Sequence, residues 1–240
     1  MEAIGKPLKD WDVKIYRGVL TGYNEAFIIT GEKRKELIKQ DPKCEEIIRP
    51  ILRGRDIKRY GHDFADLWLI NTHNGVKEKG IKSINIDDYP VIKKHLDKYY
   101  LKLEKRQDKG DTPYNLRNCA YMEDFFKPKI IYPDIMRMPR QISALKNYPY
   151  FYYDTNNFYV EATNFLMTGD DIDIVCSFLA SELGFYAFSK FHTGPQFDNT
   201  GFRYKKIYLQ ELLIPVCGVE IAEAIRSQFA KLINLTFDSD

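Results

Sequence analysis

The sequence predicts an α+β domain, with mixed sheets packed around a long buried helix. Three observations predict it. Short alternating or continuously apolar stretches of strand type are interspersed with helical patterns along the first half. From Lys127 to Gly169 the pattern is β-rich, with Tyr, Phe, Ile and Val clustered in short runs. Ile172 to Phe191 is then almost wholly apolar over a length that suits a central helix rather than a strand. At 240 residues, 44% hydrophobic and 29% charged, the chain is long enough for a sizeable core and reads as globular. Met1 to Asp10 reads as a polar linker and residues 11–240 as one domain, with any boundary between lobes falling near residue 120.

Taken in order, WDVKIY (Trp11 to Tyr16) alternates as a strand with Trp11, Val13 and Ile15 on one face. Gly18 and Gly22 mark a turn, and Ala26 to Ile29 reads as a second short strand. Thr30 is placed to cap a helix over Lys33 to Lys39 that Asp41-Pro42 ends, and a short helix over Cys44 to Ile48 follows. Leu67 to Asn71 is a buried-strand candidate. Pro90 opens a helix over Val91 to Lys105, whose stripe of Val91, Ile92, Leu96, Tyr99, Tyr100 and Leu103 faces a core. Arg106 to Pro113 reads as a loop with room to move. KIIYPDI, YPYFYYD, FYVEA and NFLMTG read as strands, and Asp170-Asp171 starts the longest helix. His192 to Lys206 is a Gly-containing loop, YLQELLIPV a strand or turn, and Glu220 to Leu235 an amphipathic helix.

Composition narrows the function classes. The formal net charge is only +2, so a nucleic-acid surface has to be a local patch. The four cysteines and four histidines are scattered without metal-ligand spacing, so no metal site is predicted and the thiols read as small buried hydrophobes of a reduced, cytoplasmic protein. No signal-peptide pattern opens the chain, and no run approaches the ~18 apolar residues of a membrane span.

The patch is IRPILRGRDIKRY, Ile48 to Tyr60. Arg49, Arg53, Arg55, Lys58 and Arg59 bring positive charge together, Gly54 allows a turn or close approach, and Tyr60 closes the run. Guanidinium groups match phosphate oxygens and guanine edges, whereas the bland reading is a helix end with a solvated basic face. Asp56 is a candidate ion-pair partner for one of these arginines. Thr21, Tyr23 and Asn24, framed by Gly18 and Gly22, form either a loop reaching DNA or a turn satisfying its own backbone. Two further polar loops could read bases: Arg137, Arg140 and Gln141, and the segment holding His192, Gln196, Asn199 and Arg203.

GVLTGYNEAFII, DPKCEEIIRPILRGRDIKRY, LWLINTHNG, KPKIIYPDI, the helix around Phe178 to Phe191 and LLIPV, in that order, resemble the TaqI-like C-terminal specificity domain. That domain is the target-recognition part of adenine-specific DNA methyltransferases and of fused type II restriction–modification enzymes, and the likeness runs from about Val13 to Val216. The resemblance implies that double-stranded DNA is the partner, with Arg53, Arg55, Lys58 and Arg59 contacting it. It also implies a methyltransferase catalytic domain, in the same or a separate chain, that would carry S-adenosylmethionine, and Mg²⁺ if a nuclease is fused. No cofactor is expected on this chain. The (N/D)PP(Y/F) motif, whose aromatic ring stacks on a flipped base, is missing, since the sequence holds no Pro-Pro pair, so no catalytic residue is predicted. Two rivals stand beside this reading: a small metal-dependent nuclease using Asp134 with Glu123 or Asp124, and a protein-interaction module with a basic patch.

Overall fold

The structure, a computed structural model, describes residues 5–192 and 201–237. Strand β1 (Gly5–Pro7) pairs antiparallel with Leu213–Pro215, and the following turn buries Leu8 completely. The expected linker is therefore corrected from Gly5 onward. Leu8 fills a core position, while the Leu8 and Lys9 amides donate to the Leu212 and Gln210 carbonyls at 2.9 Å.

Strand β2 (Val13–Arg17) forms where alternation places it. The apolar run after Gly22 divides differently: Ala26 and Phe27 close one helical turn, α1 (Asn24–Phe27), and strand β3 starts at Ile28 (Ile28–Thr30). Thr30 then caps α2 (Gly31–Gln40), its hydroxyl accepting from the Lys33 amide at 3.2 Å. Beyond a 3₁₀ turn come β4 (Ile48–Leu52) and β5 (Leu67–Ile70). The predicted helix over Val91 to Lys105 is two, α3 (Pro90–Asp97) and α4 (Tyr100–Lys105). Between them Tyr99 leaves helical geometry, with its ring against His95 and Tyr23.

The β-rich run gives β6 (Lys129–Pro133), β7 (Ile135–Arg137), β8 (Tyr152–Asp154), β9 (Tyr159–Val160) and β10 (Asn164–Gly169). The long apolar helix is broken into α5 (Ile172–Leu179) and α6 (Glu182–Ala187), inclined at 70°. Ser181 is the cause: its hydroxyl donates to the Phe178 carbonyl at 2.6 Å and accepts from the Gly184 amide at 3.0 Å, starting a new helix. The remaining elements are β11 (Gly201–Arg203), α7 (Lys206–Leu209), β12 (Leu213–Pro215) and α8 (Val219–Phe237). With 19 residues α8, not the apolar segment, is the longest described helix. It buries Phe229 and leaves Ile221 and Leu232 exposed.

The organising layer is the antiparallel sheet β2–β10–β6–β8. Side chains alternate across a strand, and here both faces are covered. Tyr16, Ile131, Tyr152 and Leu166 join one core, and Ile15, Ile130, Tyr132 and Met167 the other. That double burial explains why every residue of β6 is buried and why KIIYP reads as a continuous apolar run around one lysine. The first core is closed by α1–α4 and the sheet β3–β5–β4–β9, in which only β4–β9 is parallel. The second is closed by α5, α6 and β12. The fold is thus α+β with mixed sheets. No single described helix is long and apolar enough to cross a membrane.

One buried histidine, His95, and one half-buried, His73, make the fold acid-sensitive. His95 Nε2 lies 3.0 Å from the Ala26 carbonyl, and burial lowers its pKa. Lys33 and Lys98 push the same way, while that carbonyl and Glu36 oppose. Burial also lowers His73, helped by Arg49. A depressed folded-state pKa means the unfolded chain takes up the proton first. The stability these groups contribute is therefore complete above the ordinary histidine range and is lost as pH falls through the folded values. Urea midpoints should drop below neutral pH, and His95→Gln should flatten that drop; an unchanged slope would refute the assignment.

Candidate nucleic-acid interface

The basic run does not form a helix. Ile48, Ile51 and Leu52 are drawn into the core as β4, and the chain then turns at Arg53–Asp56. The turn assigns its cations different tasks. The Arg49 guanidinium donates to the carbonyls of Glu45, Glu46 and Ile48 at 3.3, 2.6 and 3.0 Å. Arg53 forks onto buried Asp56, with Nε and Nη2 bonds of 2.9 and 2.7 Å, while its backbone amide donates to the same carboxylate at 2.8 Å. Asp56 holds the Arg53 guanidinium above its ordinary range. Both arginines brace the turn. Lys58 pairs with Asp63 at 3.0 Å, and Arg59 lies over the Tyr60 ring at 5.0 Å. Arg55 is exposed; its carbonyl accepts from Lys58 Nζ at 3.2 Å, while its guanidinium has no hydrogen-bond or ion-pair partner among the described residues.

Arg55 opens onto a groove of about 570 Å³ that also takes in Arg17, Asp134, Arg137, Tyr150 and Asn164. Gly54 makes this possible, because a Cβ there would stand 2.9 Å from Asn164 Oδ1. Arg17, at the end of β2, anchors its Nε on the Ala162 carbonyl at 2.5 Å. Asp134 occupies the bend between β6 and β7. Its amide donates to the Thr163 carbonyl at 3.0 Å and its carbonyl accepts from the Tyr204 amide at 2.8 Å.

The β7–β11 ribbon joins the two loops predicted to read bases. Arg203 stands opposite Ile135 and Gly201 opposite Arg137. Met136 and Phe202 point into the core, so Ile135, Arg137 and Arg203 share the outer face. Arg140 and Gln141 are exposed at the turn after β7 and do not line the groove. His192 ends a π-helical turn away from it, half-buried, its pKa lowered by burial against the pull of Glu211. Gln196 and Asn199 lie outside the described residues.

The Thr21–Asn24 set lies apart from this groove. Thr21 is 2% exposed, its hydroxyl donating to Asn24 Oδ1 at 2.5 Å and accepting from the Tyr23 amide at 3.2 Å. The Tyr23 hydroxyl bonds Glu25 and accepts from Lys102 at 2.8 Å. This is the turn that satisfies itself, packed beside Tyr99, and it is not part of the groove. Asp134 is likewise apart from the carboxylates a nuclease would need. Glu123 pairs with Lys79 at 2.6 Å, and Asp124 is engaged by Lys127 and Thr168 at 2.8 and 3.0 Å. Among the described residues no three His, Cys, Asp or Glu side chains converge as a metal site.

Sequence reasoning missed Arg17, Tyr150 and Asn164 as groove residues and considered Asp134 only as a metal ligand. Tyr150 was hidden in a run whose neighbours Tyr148, Phe151 and Tyr152 are core. Arg17 carries a weak signal, as a charge ending an otherwise alternating strand.

No family model matches the chain, and no curated protein sequence does. Solved structures do. The type IIL restriction–modification enzyme MmeI, solved in complex with DNA, superposes with a TM-score of 0.65 at 11% identity, covering 99% of this chain. The type IIG restriction endonuclease BpuSI gives 0.52 at 13% identity over 96%. The chain spans only 30% and 26% of those proteins. Its fold is one found within restriction–modification enzymes.

Proposed function

We propose that this chain is a DNA target-recognition domain of a site-specific adenine methyltransferase or fused restriction–modification enzyme, of the TaqI-like specificity type. The observation that carries the proposal is the groove where Arg17, Arg55 and Arg137, far apart in sequence, meet at strand ends and turns. The fold likeness to an enzyme solved with DNA supports it. On this reading Arg17 and Arg55 hold phosphates and set register, while the outer face of the β7–β11 ribbon meets base edges. Methyl transfer, S-adenosylmethionine and any Mg²⁺ belong to a partner catalytic domain, and the protein works in the cytoplasm without catalysis of its own.

The test is duplex binding by anisotropy across a salt series. Arg17→Ala/Arg55→Ala should weaken binding to every duplex and flatten the slope of log K against log salt by roughly 0.9 per lost phosphate contact. Unchanged affinity and slope would remove the reading. Salt-insensitive binding to an acidic protein instead of DNA would favour the interaction module.

A further inference from the structure

Asp134 is an acid in an arginine-lined groove, and that placement needs a reason. A carboxylate there repels phosphate and weakens the electrostatic grip of Arg17 and Arg55. The backbone on either side is pinned by the Thr163 and Tyr204 hydrogen bonds, so the side chain projects from a fixed bend rather than a free loop. Its Oδ1 is buried with no hydrogen-bond donor reaching it. The carboxylate thus has acceptor capacity unused within the protein, which a donor entering the groove would meet at the oxygen facing it.

Building on the reading of this groove as the DNA interface, we propose that Asp134 is a specificity-determining residue that accepts a hydrogen bond from the N4 amino group of a cytosine in the major groove. The base edges decide among the alternatives. Guanine shows O6 and N7 and thymine shows O4, all acceptors that a carboxylate repels. Adenine pairs its N6 donor with an adjacent N7 acceptor, which would oppose the second carboxylate oxygen. Cytosine presents only the N4 donor in this groove.

The experiment selects bound duplexes from a random pool with the 240-residue chain, Asp134→Ala and Asp134→Asn, with chelator present throughout. The wild-type motif is expected to contain an invariant C·G position. Asp134→Ala should lose discrimination there alone, by roughly 5- to 100-fold. Its affinity for unselected duplex should hold or rise, which loss of a merely structural residue would not produce. Asp134→Asn should shift the preference toward adenine. A wild-type motif without invariant cytosine, variants that keep the motif, or a uniform loss of binding each overturn the proposal while DNA recognition stands. No DNA binding by the wild type even at low salt overturns both.

Discussion

Replacing Asp154 with alanine is expected to destabilise the fold by about 3–5 kcal/mol, the usual cost of leaving a buried charge without its partner. Lys129 Nζ lies 2.5 Å from Asp154 Oδ2, and both side chains are fully buried in the central sheet, on the paired strands β6 and β8. The carboxylate does more than neutralise the lysine. It accepts from the amides of Asn156 and Phe158 at 2.8 and 3.0 Å, shaping the chain between β8 and β9. With alanine in its place the ammonium keeps, among the described residues, only the Phe125 carbonyl at 2.7 Å. Burial already lowers the Lys129 pKa, and Asp154 opposes that shift; without it the pKa falls further. The unfolded chain then holds the proton more tightly than the folded one, so the variant should regain stability as pH rises toward the ordinary lysine range. Denaturant unfolding at neutral pH and at about pH 9 tests both statements. A loss under about 1 kcal/mol, or no recovery at high pH, would show that the pair is not held as described.

Arg106→Lys should cost about 2–4 kcal/mol, although it preserves the charge. Arg106 is 7% exposed, and burial brings its pKa to about 10, so it remains cationic at neutral pH. Its fork donates to four carbonyls: Thr21, Asp108 at 3.2 Å, Pro113 at 3.0 Å and Asn115 at 2.5 Å. The guanidinium also lies 4.6 Å from the centroid of the Phe27 ring. A lysine ammonium, a point charge without that planar fork, cannot reach all four, and buried carbonyls would go unmatched. Thermal unfolding should fall by several degrees, and a shift under about 2 °C would refute the role. The effect on DNA binding should be small, because this tie lies outside the groove.

Both residues show where local reading stops. Arg106 opens a stretch that reads as a loop with room to move, and Lys129 reads as a charge at the edge of an apolar run. Nothing near either in sequence names its partner. Asp154 is reached only through the pairing of β6 with β8, and the Thr21 carbonyl only through the packing of α1 beside the segment after α4. Thr30 is the opposite case, because a cap acts within one helical turn and its partner Lys33 is three residues away.

The sequence by itself determined the α+β class, most of the strands and the cap of α2, since these follow from periodicity and contacts a few residues long. It also marked Arg55 and Arg137 as cations worth watching. Only the tertiary structure decided that Arg49 and Arg53 brace a turn while Arg55 faces outward, because guanidinium chemistry is the same in either task and the difference lies in which carbonyl or carboxylate is within reach. The same holds for the break at Ser181 and for the meeting of Arg17, Arg55, Asp134 and Arg137 in one groove. These residues lie on three separate segments, and the pairing of distant strands, not any local signal, brings them together.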